Sequence, residues 1–234
     1  MMFKAVSSRL KGRSPKEVGA LALLNIVHGV RGLRPSAWAA RRRDLTFDRR
    51  WGTETSGLVS LSTLDIEPAR ARHGVRYQPS NGAALALAVA EFGINPTGWT
   101  FVDYGSGKGR IVMLAAAMGF ARAIGVEFSP ELCRIAEKNA ASFASRGGAR
   151  IAPEIVKGDA GAFQPPPGPV IAYLYNPFGP PVIDEVAARL EEKAARDEPV
   201  LVIYVDPRHL SRLVDRYGWT VAAADADLAL IRVR

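Results

Sequence analysis

Three glycines and two acidic residues stand at spacings that could build a site for a polar ligand. The stretch Asp103-Tyr104-Gly105-Ser106-Gly107-Lys108-Gly109 follows a short apolar run and precedes a segment with helical apolar spacing. Glycine permits sharp turns with positive φ, and the N–H groups at the start of a helix favour a carboxylate or a phosphate. Asp103 could reach an ammonium group or organise the loop. Glu127 ends the next apolar run, 22 residues after Gly105, where it could accept hydrogen bonds from both hydroxyls of a ribose.

The glycine spacing differs from two other ligand-binding motifs. A P-loop requires a glycine, four residues and then Gly-Lys-Ser/Thr, but here Lys108 is followed by Gly109 and no glycine stands at the earlier place. A dinucleotide fingerprint reads G-x-G-x-x-G, whereas this loop reads G-x-G-x-G. A nicotinamide enzyme and a glycine turn without a ligand remain as alternatives.

Alternating strands and helices from residue 99 onward would position these groups. Apolar runs predict strands at 99–104, 123–128, 151–156, 170–175, 200–205, 219–224 and 228–233, with helices at 108–119, from Ser129 and Pro130, at 182–195 and at 207–217. Strands separated by helices pair in parallel through right-handed crossovers, whereas too few residues join the last two strands for anything but an antiparallel pair. The predicted fold class is α/β: a seven-strand, mostly parallel, doubly wound sheet that ends in an antiparallel hairpin and carries a helical N-terminal extension.

The motifs resemble those of the class I S-adenosylmethionine-dependent methyltransferases, and the resemblance spans residues 99–234. Asp103 with Gly105–Gly109 matches their first motif, and Glu127 matches the acidic residue that ends strand two. Asp159 matches an acidic residue after strand three. Asn176-Pro177-Phe178 is similar to the Asp/Asn-Pro-Pro-Tyr/Phe motif of amino-methylating members, with one proline missing.

The resemblance implies S-adenosyl-L-methionine as the cofactor and a set of site residues. The glycine loop would hold the methionine part of the cofactor, Glu127 the ribose, Phe128 one face of the adenine and Asp159 the adenine amino group. The implied cofactor-binding residues are Tyr77, Ser80, Asp103, Tyr104, Gly105, Ser106, Gly107, Gly109, Glu127, Phe128, Asp159 and Ala160. The implied catalytic residues are Asn176, Pro177 and Phe178, which would position and shield a target amine.

Several of these positions have a plainer interpretation. Tyr77 and Ser80 look like a segment that closes over the cofactor in seven-strand lysine methyltransferases, but they could form an ordinary turn before a helix. Phe128 could be a core residue, and Asn176 could simply end strand four. Asp206 could serve as a base, but it is expected to cap a helix that begins at Pro207.

The substrate is less determined than the chemistry. The chain is similar to bacterial methyltransferases of unassigned substrate and to seven-strand protein lysine methyltransferases, which favours N-methylation of an amine such as a protein lysine. The alternatives are an RNA or DNA methyltransferase, a small-molecule methyltransferase and a cofactor-binding scaffold without activity.

Charge and cysteine content constrain the partners. Residues 1–50 carry 12 Lys and Arg against 3 Asp and Glu, whereas the remaining residues are nearly neutral. This basic arm could bind nucleic acid or an anionic membrane surface, or it could be a solvated helix face. The single cysteine, Cys133, excludes an intrachain disulfide and favours a cytoplasmic setting, and no metal site is expected. We expect residues 1–98 to form a basic helical extension and cofactor lid, and residues 99–234 to form the methyltransferase domain.

Overall fold

A computed structural model of the chain describes residues 35–57, 82–175 and 178–233. The helices are α1 (Pro35–Trp51), α2 (Ala83–Glu91), α3 (Arg110–Met118), α4 (Pro130–Ser145), α5 (Pro180–Ala194) and α6 (Leu210–Tyr217). The strands are β1 (Thr100–Tyr104), β2 (Arg122–Glu127), β3 (Pro153–Lys157), β4 (Val170–Tyr175), β5 (Val200–Val205), β6 (Thr220–Ala224) and β7 (Leu228–Val233).

The seven strands form one sheet in the order β3-β2-β1-β4-β5-β7-β6. β1 to β5 pair in parallel, and β7 runs antiparallel to both β5 and β6. The predicted fold class, a mostly parallel sheet with an antiparallel end, is therefore confirmed. The strand order reverses between β1 and β4, and open α/β sheets bind their ligands outside the carboxyl ends of the strands at such a point.

Alternate residues of each strand feed two separate cores, one on each face of the sheet. Phe101 of β1 belongs to a cluster with residues of α2 and α3, whereas Val102 belongs to a cluster with residues of α5 and α6. α4 packs against β3, β2 and α3. Because both faces are covered, the central strands are apolar throughout, which is why they can be recognised as unbroken apolar runs.

Most predicted element boundaries lie within two residues of the observed ones, and the differences have local causes. α3 begins at Arg110 rather than at Lys108 because Gly109 has a left-handed φ of 80°, which an α-helix cannot contain. α5 begins two residues early, at Pro180, because proline is tolerated in the first turn of a helix. α4 starts as expected: the hydroxyl of Ser129 accepts a hydrogen bond from the backbone N–H of Leu132 at 3.3 Å.

The prediction that Asp206 caps a helix starting at Pro207 is wrong. α6 begins at Leu210, with His209 as its N-cap residue. Asp206 has a φ of 48°, and its carboxylate accepts a hydrogen bond from Nε of Arg208 at 3.0 Å. The chain therefore makes a tight polar turn between β5 and α6.

The chain divides into two compact units, the first ending at Thr46 and the second beginning at Phe47, within α1. The second unit includes residues 47–57 and 82–98 together with the sheet. The division into an extension and cofactor lid (residues 1–98) and a methyltransferase domain (residues 99–234) stays a prediction. None of the described helices is both long and apolar enough to cross a membrane.

Candidate functional site

The glycine loop between β1 and α3 is hydrogen-bonded to the end of β2. Gly105, Gly107 and Gly109 all have positive φ, at 81°, 55° and 80°. The backbone N–H groups of Gly105 and Ser106 both donate to the carbonyl oxygen of Val126, at 2.9 and 3.1 Å. Each glycine therefore takes a conformation that other residues adopt only with strain, and the loop conformation is set by its bonds to the neighbouring strand.

Glu127 joins the glycine loop to the start of α4. One carboxylate oxygen accepts from the backbone N–H of Gly107 at 2.9 Å, and the other accepts from that of Ser129 at 2.8 Å. Burial raises the pKa of Glu127, and hydrogen bonds from the backbone of Ser129, Gly107 and Phe128 offset part of that rise. Each carboxylate oxygen has two lone pairs, so Glu127 retains acceptor sites that could hold vicinal hydroxyls.

Asp103 is a second buried carboxyl group on the adjacent strand. It pairs with Gly125 in the sheet register, so that Glu127 lies two residues further along β2. Burial, followed by repulsion from the nearby Glu127, raises the pKa of Asp103 to about 8. A desolvated acid of this kind is stabilised in its ionised form by a cation, so the two carboxyl groups fit, as acceptors, a ligand that carries an ammonium group and hydroxyls.

Close packing between the loop and β2 requires a further glycine, Gly125 of β2. A Cβ at Gly125 would lie 2.6 Å from the hydroxyl oxygen of Ser106 and 2.7 Å from a methyl carbon of Val112. Ser106 is buried directly over this glycine. Gly125 thus lets the loop approach β2 closely enough for the bonds to Val126.

A cluster that sequence reasoning missed lies on the other side of the loop. The side-chain amide of Asn139 in α4 donates to the carbonyl oxygen of Lys108 at 3.0 Å and to that of Glu54 at 3.3 Å, and it accepts from the N–H of Glu54 at 2.7 Å. The Lys108 ammonium lies 3.1 Å from the Glu54 carboxylate. A signal existed: Asn139 falls on the apolar stripe of α4, among Leu132, Ala136 and Phe143, where a polar residue requires buried partners.

Asp48 organises the segment that carries Glu54. Its carboxylate accepts from the hydroxyls of Thr53 and Thr55, both at 2.7 Å, and from the N–H groups of Thr55 and Ser56, at 2.9 and 2.8 Å. Burial raises the pKa of Asp48, but hydrogen bonds from Ser56, Thr55 and Thr53 outweigh it and leave the pKa below its usual value. We call residues 53–56 the Thr53–Ser56 segment.

The structure describes some of the other predicted site residues and not the rest. Asp159 accepts a hydrogen bond from the N–H of Gly161 within its own turn after β3, at 3.0 Å, and Ala160 is buried in the same core cluster as Tyr104. Phe128 is half-buried next to Glu127. Phe178 is almost fully buried and belongs to that core cluster too. Tyr77, Ser80, Asn176 and Pro177 lie outside the described residues.

The described part of the chain contains no group of three His, Cys, Asp or Glu side chains that could hold a metal ion.

Several solved structures resemble the chain at low identity. A ribosomal protein L11 methylase from Lactobacillus delbrueckii matches with a TM-score of 0.47 and 17% identity, over 66% of this chain and 80% of that one. A magnesium protoporphyrin IX methyltransferase from Synechocystis with bound S-adenosylmethionine has a TM-score of 0.43 and 16% identity, over 64% and 76% of the two chains. An RNA methyltransferase from Salinibacter ruber in complex with S-adenosylhomocysteine has a TM-score of 0.43 and 23% identity, over 66% and 92%. No curated protein sequence matches the chain.

A family model matches the segment that contains the glycine loop and Glu127. Residues 84–149 match the model described as histone methylation protein DOT1. The matched residues cover α2 through α4, which include the glycine loop, both buried carboxyl groups and Asn139. This match, the strand order with an antiparallel β7 and the bonds between Glu127 and the loop all agree with a class I S-adenosylmethionine-dependent methyltransferase, the class that the chain resembles.

Proposed function

We propose that the chain transfers a methyl group from S-adenosylmethionine to an amine nitrogen of a protein lysine side chain. The observation that carries the cofactor site is the pair of buried carboxyl groups, Asp103 and Glu127, at the carboxyl ends of neighbouring strands beside the glycine loop. Two observations support the amine. Asn176-Pro177-Phe178 directly follows Tyr175, the last residue of β4, in the sequence, and the matched family model is described by histone methylation.

The cofactor supplies an electrophilic methyl group, so the protein has to bind, orient and exclude water. Asp103 would hold the ammonium group of the methionine part, and Glu127 would hold the ribose hydroxyls. The glycine loop, with Tyr104 and Ser106, would surround the methionine part. Phe128, Asp159 and Ala160 would contact the adenine. Tyr77 and Ser80 would close the site.

The target amine would be positioned at the end of β4. The side-chain oxygen of Asn176 and the carbonyl oxygen of Pro177 would accept hydrogen bonds from it, which directs the nitrogen lone pair at the methyl group. Phe178 would shield the site from water. A lysine attacks only after it has lost its proton, and desolvation in such a site lowers its pKa.

Binding of S-adenosylhomocysteine tests the cofactor site. Calorimetry on the wild type and on Glu127→Gln should show binding that weakens at least about tenfold in the variant, because charge-assisted hydrogen bonds at the ribose and within the loop are lost. Glu154→Gln is the matched control. Glu154 of β3 forms a solvent-accessible ion pair with Arg122 of β2, and the loss of this ion pair should leave the affinity unchanged. Binding of a nicotinamide dinucleotide in place of S-adenosylhomocysteine would overturn the proposal.

The substrate class needs a separate experiment. A cell lysate incubated with the protein and cofactor labelled in the methyl group should yield label that protease removes and nuclease does not, with methyl-lysine recovered after acid hydrolysis. Label removed only by nuclease would defeat the protein-lysine proposal. It would favour a nucleic-acid substrate, for which the basic residues 1–50 would supply the phosphate contacts.

A further inference from the structure

The backbone carbonyl of Lys108 lies immediately before α3, next to the left-handed Gly109. The first carbonyl bonded within the helix is that of Gly109, which accepts from the N–H of Met113 at 3.0 Å. The N–H of Gly109, on the same peptide group as the Lys108 carbonyl, donates to the carbonyl of Ser106 at 2.9 Å. A buried backbone carbonyl costs free energy unless a hydrogen-bond donor reaches it.

Asn139 of α4 supplies a donor to the Lys108 carbonyl. Its amide nitrogen lies 3.0 Å from the Lys108 oxygen, and the residue is buried. One helical turn earlier, Ala136 of α4 lies under Gly109, where an added Cβ would come within 3.2 Å of the alanine methyl. Ala136 and Asn139 therefore both contact the Lys108–Gly109 part of the glycine loop.

The same amide fixes the Thr53–Ser56 segment. Its oxygen accepts from the N–H of Glu54 at 2.7 Å, and its nitrogen also donates to the Glu54 carbonyl at 3.3 Å. The Lys108 ammonium then closes a ring, because it reaches the Glu54 carboxylate at 3.1 Å and the Ser56 carbonyl at 3.4 Å. One side chain therefore fixes two chain segments more than 50 residues apart.

We propose that Asn139 is a positioning residue of the cofactor site, which holds the Lys108–Gly109 peptide and the Thr53–Ser56 segment in the orientation that binds the methionine part of the cofactor. This inference rests on the proposed function. Its physical basis is preorganisation: the loop needs no ordering when the ligand arrives, so less of the binding free energy is lost.

Two ligands separate positioning from a purely structural role. S-adenosylhomocysteine carries the amino-acid part that the loop would hold, whereas 5′-methylthioadenosine lacks it. In Asn139→Leu we expect the affinity for S-adenosylhomocysteine to fall about tenfold, the effect of one net hydrogen bond. The affinity for 5′-methylthioadenosine should change less than about twofold, which is well below the tenfold loss expected for S-adenosylhomocysteine. An equal loss for both ligands, or no loss for either, would overturn the proposal.

Ser142→Ala is the matched control on the same helix. Its hydroxyl donates to the carbonyls of Trp51 and Gly52, at 2.7 and 3.0 Å, but it does not reach the glycine loop. It should lower the melting temperature and leave both affinities unchanged. A loss of S-adenosylhomocysteine binding equal to that of Asn139→Leu would also overturn the proposal, because general docking of the segment would then account for the effect.

If Asn139→Leu does not fold, Asn139→Asp replaces it. The aspartate has the same shape and keeps the acceptor for Glu54 but loses the donor for Lys108, so the same selective loss is expected. If the wild type does not bind S-adenosylhomocysteine, the proposed function is wrong. If the wild type binds and the Asn139 variants bind equally well, only the role proposed for Asn139 is wrong.

Discussion

The buried carboxyl group of Asp103 should make cofactor binding depend on pH. With its pKa raised to about 8, Asp103 is mostly protonated near pH 6.5, and a ligand ammonium group must then displace a proton. We expect the affinity for S-adenosylhomocysteine to rise about tenfold between pH 6.5 and pH 8. Calorimetry in two buffers of different ionisation enthalpy should show the release of close to one proton per ligand at the lower pH.

The variant Asp103→Asn provides the control and a second readout. Its binding should be weak and independent of pH in this range. An acid whose pKa is raised on folding stabilises the folded state fully below its unfolded pKa and loses that contribution as the pH rises through the folded pKa. Between pH 4 and about 8, the melting temperature of the wild type should therefore fall relative to that of Asp103→Asn. Parallel curves would show that Asp103 does not titrate as described.

Single residues also show what the sequence could not reveal. Asp103 and Glu127 were found because they end apolar runs on either side of a glycine loop, and strand ends meet at one edge of a parallel sheet. The link from Asn139 to Glu54 spans 85 residues of sequence, so no local spacing records it. Its trace was a polar residue on an apolar helix face, which identifies a buried hydrogen bond but not its partners.

Asp48, near the end of α1, should contribute stability that disappears in acid. Its pKa lies below the usual value, so its stabilising effect is present above the ordinary pKa of 3.8 and is lost as the pH falls through the folded value. Asp48→Asn should lower the free energy of unfolding by about 1–3 kcal/mol at pH 7, since hydrogen bonds to a charged acceptor are lost. Denaturant unfolding at several pH values should show the difference shrinking below pH 4.

The matched control is Asp215→Asn, which alters an exposed aspartate in α6. It should leave unfolding at pH 7 unchanged. A constant difference between the wild type and Asp48→Asn down to pH 3 would contradict the role of an ionised Asp48.

Elements differed in how well the sequence predicted them. β4 and β5 were located to the residue, because strands buried on both faces form unbroken apolar runs. The sequence predicts a basic helical extension here but not the bounds of α1, because residues 35–51 carry arginines without an obvious apolar stripe. The contacts near its end are aromatic: Phe47 stacks on Phe143 at 5.9 Å, and Trp51 meets the same ring edge-on at 4.7 Å.

The cofactor site lies at the carboxyl ends of the parallel strands, whereas a separate set of polar contacts lies at their amino ends. Lys193 of α5 is buried there, and its ammonium group lies 2.7 Å from the carbonyl of Pro166 and 2.6 Å from the carboxylate of Glu198. The other Glu198 oxygen accepts from the N–H of Gly168 at 2.8 Å. These bonds join the loops that lead into β4 and β5, and they hold the pKa of Glu198 below its usual value.

Lys193→Met should therefore lower the melting temperature by several degrees and leave the affinity for S-adenosylhomocysteine unchanged. The exposed Lys138 of α4 gives the control, since Lys138→Met should change neither property. Thermal unfolding and calorimetry on the same preparations test both statements. A loss of affinity in Lys193→Met at a temperature where it is folded would show that the two edges are coupled.

The whole arrangement was more predictable than its details. Alternation of strands and helices gave the parallel sheet, and the short connection before β7 required an antiparallel hairpin. The boundaries depended on the backbone conformation of single residues, such as Gly109 and Asp206, which apolar periodicity does not report.

The only cysteine of the sequence gives the chain a built-in reporter. The Cys133 thiol donates to the backbone carbonyl of Glu127 at 3.3 Å, and burial, with repulsion from Glu127 and Glu137, raises its pKa to about 11. Alkylating reagents attack the thiolate, so labelling of the intact protein requires the joint between β2 and α4 to open. The rate of alkylation thus measures how often the contact between β2 and α4 opens, and a ligand bound to Glu127 should slow the alkylation of Cys133.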